Sequence, residues 1–124
     1  MSAKIVVADD EVNILISLEF LLKRAGYQVS LARDGPAALD AILRDRPDLV
    51  LLDVMMPKKT GLEVCQAVRA DEACNGVRIL MLTAKGRDTD VAKGLALGAD
   101  AYMTKPFATK DLVQKVKDLL DRPR

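Results

Sequence analysis

Leu49-Val50-Leu51-Leu52-Asp53 decides the fold of this chain: four consecutive apolar residues closed by a carboxylate. A strand with one wet face alternates apolar and polar residues, whereas a strand buried on both faces reads as a continuous apolar run. The stretch therefore predicts a central strand of a parallel sheet. Working outward, Ile5-Val6-Val7-Ala8 and Ile79-Leu80-Met81-Leu82 are runs of the same kind, and Val29 to Ala32 and Ala101-Tyr102-Met103 complete a set of five.

Helical patterns separate them. Val12, Leu15, Ile16, Phe20 and Leu22 repeat with helical spacing, and Gly26 is the stop signal. Asp34-Gly35-Pro36 opens a second helix that Pro47 ends, and Thr60 is the expected N-cap of a third through Leu62, Cys65 and Val68. A fourth is expected over Val91 to Leu97, stopping at Gly98; a fifth carries Leu112, Val113, Val116, Leu119 and Leu120 on one face. Five alternations of strand and helix predict a doubly wound α/β fold with a five-stranded parallel sheet. The length of 124 residues suits one domain, spanning 1–124 with a core from about 4 to 120.

Composition narrows the function. The formal net charge of +1 gives no field that would drive the chain onto nucleic acid or an anionic membrane. No apolar run approaches the length of a membrane span, so a soluble, cytoplasmic protein is expected. The absence of histidine excludes Ser-His-Asp and Cys-His catalysis, His-ligated zinc and a phosphohistidine of the chain's own. Cys65 and Cys74 are too few for a disulfide scaffold or a four-cysteine metal site, and Cys65 falls on a core-facing helical position.

In an open parallel sheet, ligands bind beyond the carboxyl ends of the strands. The first run ends in Asp9-Asp10, the third in Asp53 and the fourth in Thr83; Lys105-Pro106 follows the fifth. Taken one at a time these are ordinary caps, loop acids and surface charges. Taken together they place three carboxylates, one hydroxyl and one ammonium on a single rim. Clustered carboxylates raise one another's pKa unless a cation intervenes. A divalent ion together with Lys105 balances the three negative charges, and all-oxygen donors favour a hard ion such as Mg²⁺, with Mn²⁺ as the alternative. Carboxylate is also a nucleophile toward phosphoryl groups.

The chain resembles the receiver domain of two-component response regulators, of the kind that stands alone as the chemotaxis regulator. The resemblance rests on Val7-Ala8-Asp9-Asp10-Glu11, on Leu51-Leu52-Asp53-Val54-Met55-Met56-Pro57 with Gly61, on Leu82-Thr83-Ala84, and on Gly98-Ala99-Asp100-Ala101-Tyr102-Met103-Thr104-Lys105-Pro106-Phe107. It implies a flavodoxin-like (βα)5 sandwich with strand order 2-1-3-4-5. It implies Asp53 as phosphoacceptor, with Asp9, Asp10, Asp53 and the backbone carbonyl of Met55 as metal ligands. Thr83 and Lys105 then hold the phosphoryl oxygens, the Lys105-Pro106 peptide is cis, and Thr83 and Tyr102 form a switch that remodels the face of the fourth helix, fifth strand and fifth helix. The implied partners are a histidine kinase or phosphotransfer protein and a downstream effector, with a phosphorylation-linked homodimer as a further expectation and no nucleic acid bound by this chain. Weak magnesium-dependent autophosphorylation and autodephosphorylation go with this role.

Other aspartate chemistries fit less well. A phosphatase with an aspartate nucleophile needs a second acid two residues on, where Met55 stands; a flavin carrier needs a phosphate-cradling loop where Asp9-Asp10-Glu11 would repel phosphate. Met55 and Lys85 depart from the best-known member of the family, and a bulky apolar Met55 is expected to hinder the water that removes the phosphoryl group. Gly94 weakens the fourth helix, which is expected to be the most mobile of the five.

Overall fold

The computed structural model describes residues 2–122. Strands and helices alternate as β1 (Lys4–Ala8), α1 (Val12–Arg24), β2 (Gln28–Ala32), α2 (Gly35–Asp45), β3 (Leu49–Asp53), α3 (Gly61–Ala70), β4 (Arg78–Ala84), α4 (Asp88–Ala96), β5 (Ala101–Lys105) and α5 (Thr109–Asp121). The strands form one parallel sheet in the order β2-β1-β3-β4-β5, with β3 at its centre.

The continuous apolar runs are explained by the two-sided core. All five residues of β3 are buried. Val50 and Leu52 join Ala38, Ile42, Val64 and Val68 from α2 and α3 on one side. Leu49 and Leu51 join Leu18, Leu22, Leu112 and Val116 from α1 and α5 on the other. Alternate side chains of a strand point to opposite faces, so a strand sandwiched between two helical layers must be apolar at every position.

Local signals set the helix ends. Asp34 caps α2 by accepting from the Ala37 N–H at 2.8 Å. Thr60 and Glu63 cap α3 reciprocally, each side chain accepting the other's backbone N–H at 3.2 Å. Several boundaries differ from the sequence reading. Helix α4 begins at Asp88, three residues before Val91, because Asp88 and Asp90 suit a positive helix N-terminus but carry no apolar periodicity. Strand β4 continues one residue past Thr83 to Ala84, and β5 continues to Lys105, so Lys105 lies within its strand instead of after it. A short 3-10 turn, Glu72–Cys74, was not anticipated.

Cys65 and Cys74 are both free and buried, and burial pushes both thiols up, which keeps them protonated and inert. Among the described residues no helix is long and apolar enough to cross a membrane.

Candidate functional site

The carboxyl ends of β1, β3, β4 and β5 converge on one acidic pocket. Asp9 follows β1 and is fully buried; Asp53 is the last residue of β3 and only 5% exposed. Oxygens of Asp9, Asp10 and Asp53 lie within 4.8 Å of one another. Lys105, the last residue of β5, reaches in with Nζ 2.7 Å from Asp9 Oδ2 and 3.6 Å from Asp53 Oδ2. Asp9 Oδ1 accepts the Glu11 N–H at 2.9 Å, and Asp53 Oδ1 accepts the Met55 N–H at 3.3 Å.

The electrostatics of this cluster are unbalanced. Burial, followed by the charge of Asp9, pushes the Asp53 carboxyl up to about 7, against the opposing pull of Lys105 and the Met55 amide. Burial alone would lower Lys105, but its hydrogen bond to Asp9 and the charges of Asp53, Asp9 and Glu11 hold it above its ordinary value. One ammonium thus serves several carboxylates. The clustered donors are all oxygens, which fits a small hard cation and gives no reason for a soft one.

Backbone crowding fixes the loop that carries Met55. A Cβ on Gly61 would sit 2.3 Å from the Asp53 carbonyl oxygen, and one on Gly35 would sit 2.1 Å from the Lys59 carbonyl oxygen. Only glycine permits either approach. The Gly61 N–H donates to the Val54 carbonyl at 2.9 Å, and Lys58 Nζ stands 3.4 Å from Asp34 Oδ2. The β3–α3 loop is therefore pinned at both ends.

The structure brings Asp9, Asp10, Asp53 and Lys105 into one cluster. Thr83 lies at the same edge, one residue beyond Leu82, the β4 partner of Asp53. It is buried, and its hydroxyl donates to the Ala84 carbonyl at 3.4 Å. Tyr102 is 46% exposed and lines, with Thr83, Leu95 and Thr104, a cavity of about 400 Å³ between α4 and β5. The Lys105–Pro106 peptide is cis. Two contacts were not read from the sequence. Glu11 Oε1 lies 3.3 Å from Lys105 Nζ, although its place in the acidic run Asp9-Asp10-Glu11 offered a signal. Arg87 Nη2 lies 3.3 Å from Met55 Sδ, and nothing in the sequence pairs those two residues.

Comparison with known proteins agrees with this geometry. The family described as the response regulator receiver domain matches residues 5–117. A putative response regulator from Chloroflexus aurantiacus is 35% identical over 98% of this chain and 100% of its own, with a TM-score of 0.92. Chemotaxis protein CheY4 of Vibrio cholerae is 34% identical over 96% of this chain and 99% of its own, with a TM-score of 0.90. NtrX of Brucella abortus is 27% identical over 98% of this chain but only 27% of its own, with a TM-score of 0.89. With a match of this extent to the family and an acidic pocket at the carboxyl edge of a 2-1-3-4-5 sheet, the chain belongs to the response regulator receiver domains, the phosphoacceptor modules of two-component signalling.

Proposed function

We propose that Asp53 accepts a phosphoryl group from a phosphohistidine on a partner protein, a histidine kinase or a phosphotransfer protein. The observation that carries this reading is the position of Asp53: a buried carboxylate beside Asp9 and Asp10, with Lys105 at 3.6 Å. An oxygen of Asp53 forms the new P–O bond as the donor's P–N bond breaks, the electron pair leaving with the partner's imidazole nitrogen. Lys105 holds one phosphoryl oxygen, and Thr83 turns its hydroxyl from Ala84 toward another. Asp9, Asp10, Asp53 and the Met55 carbonyl would hold Mg²⁺ or Mn²⁺, which would supply positive charge to the phosphoryl oxygens. The pinned β3–α3 loop keeps that carbonyl in place.

The donor docks beside the pocket. Val12, Ile16 and Phe20 form an exposed apolar stripe on α1. A groove of about 440 Å³, lined by Glu11, Ile14, Leu18, Lys105 and Phe107, leads from that helix to the site. The chain has no histidine, so the donor imidazole comes from a partner that fits this rim. A cytoplasmic location suits such a partner. On the output side, the cavity shared by Thr83 and Tyr102 gives the ring room to turn inward when the hydroxyl moves. The new charge biases this two-state pair and changes the α4–β5–α5 face offered to an effector or to a second copy.

Intact mass after incubation with acetyl phosphate tests the reading. One added phosphoryl group is expected with Mg²⁺, none with chelator, and none in Asp53→Ala. An adduct retained in Asp53→Ala would move the phosphoacceptor elsewhere.

A further inference from the structure

Arg87 takes no part in the chemistry described so far, yet it touches the loop that follows Asp53. It stands at the N-terminus of α4, and its guanidinium is paired with Asp90 in the first turn of that helix. Its Nη2 lies 3.3 Å from Met55 Sδ on the opposite loop. The Met55 backbone N–H in turn donates to Asp53 Oδ1 at 3.3 Å. A chain of contacts therefore runs from the start of α4 through Met55 to the Asp53 carboxylate. Met55 is 52% exposed, so burial does not fix its side chain there. A thioether is a weak acceptor, but a guanidinium is a permanent, planar fork that engages two partners at once. Asp90 offsets the charge of Arg87, which leaves the arm to act by position.

Resting on the assignment of Asp53 as phosphoacceptor, we propose that Arg87 is a positioning residue that holds Met55 over the mouth of the pocket and lengthens the life of the aspartyl phosphate against water. Hydrolysis requires a water oxygen to bond to phosphorus as the P–O bond to Asp53 breaks. The electron pair returns to the carboxylate and the water's proton passes to the released phosphate. The water approaches from the side opposite the Asp53 oxygen, which is the solvent side because Asp53 itself is buried, and on the proposal the paired Met55 and Arg87 side chains cover it. Held by Arg87, which is itself anchored on Asp90, the Met55 side chain screens that approach; released, it samples other rotamers and opens it.

The test follows decay of the phosphoryl group by intact mass in Mg²⁺ after the phosphodonor is removed. The proteins are the wild type, Arg87→Ala, Met55→Ala, the double variant and Arg87→Lys. Arg87→Ala is expected to decay about two- to fivefold faster, the size of effect a single exposed contact gives. The double variant decays no faster than Met55→Ala, because Arg87 acts through Met55. Arg87→Lys behaves like Arg87→Ala, since lysine keeps the charge but loses the fork. Decay of Arg87→Ala at the wild-type rate or slower overturns the proposal, as does additivity in the double variant. A wild-type lifetime in Arg87→Lys overturns it too, by showing that charge alone suffices. Equal labelling with equal decay removes only the role of Arg87, whereas failure of wild type and variant alike to take the label removes the Asp53 assignment beneath it.

Discussion

Both ends of the sheet hold buried or half-buried aspartate charge, and they are built in opposite ways. At the amino end, Asp100 pairs with Arg69 at 3.0 Å and accepts the Ile79 N–H at 2.8 Å. Arg69 spends its other donors on the Gly98 and Cys74 carbonyls, at 2.9 and 3.3 Å. At the carboxyl end, Asp9, Asp10 and Asp53 crowd together around Lys105, and Asp53 is pushed up to about 7. The first cluster balances charge and ties α3 to the start of β4 and the end of α4. The second leaves negative charge unbalanced within the same fold. Stability resides at one end; the other keeps a repulsion that a cation and a phosphoryl group can use.

The sharpest way to break this contrast is to remove an acid from each end. Asp100→Ala removes the counter-ion of a mostly buried guanidinium and the acceptor of the Ile79 N–H together, and is expected to cost about 2–3 kcal/mol in urea unfolding. A cost below about 0.5 kcal/mol would show that the amino end is not a clamp.

Asp53→Asn is expected to act in the reverse direction. The folded-state pKa of Asp53 is raised, so between about pH 4 and pH 7 the folded protein binds more protons than the unfolded chain. Stability therefore falls as pH rises through that window, and above it the folded state carries the full penalty. In chelator, Asp53→Asn should be more stable than wild type by about 1–3 kcal/mol at pH 8, with the advantage shrinking toward pH 5. Added Mg²⁺ should stabilise the wild type and narrow the gap at pH 8. A variant less stable than wild type at pH 8 would mean that Lys105 already neutralises the pocket.

Helix α4 connects the two ends and gives the smallest expected effect. Among its nine residues only Gly94 is buried, whereas α5 buries Leu112, Val116 and Leu119. Its N-terminus carries Arg87, and the Arg69 clamp grips Gly98 just beyond its C-terminus. Amide exchange is expected to be faster in α4 than in α5, and within α4 faster toward Arg87 than toward Gly98. Equal protection of the two helices would remove the contrast in packing as its cause.

These contrasts were unequally visible in the sequence. Asp9, Asp10, Asp53, Thr83 and Lys105 stood out because each closes or follows an apolar run. The acid-rich stretch Asp9-Asp10-Glu11 already implied repulsion. Arg69 and Asp100 gave no comparable sign: Arg69 ends an ordinary helix and Asp100 sits in a short turn. Arg87 drew no reading at all, and the onset of α4 at Asp88 was hidden because its first turn is polar.

Sequence by itself determined the alternation of strands and helices, the two-sided burial of β3 and the placing of polar residues at strand ends. Those properties follow from period and burial over a few neighbouring residues, which the chain records locally. Only the tertiary structure decided which distant side chains meet. The 3.3 Å approach of Arg87 to Met55, the reach of Lys105 to Asp9 and Glu11, and the Arg69–Asp100 pair each join residues from separate elements. Such contacts depend on strand order, register and loop crowding around Gly35 and Gly61, which no single stretch of sequence carries.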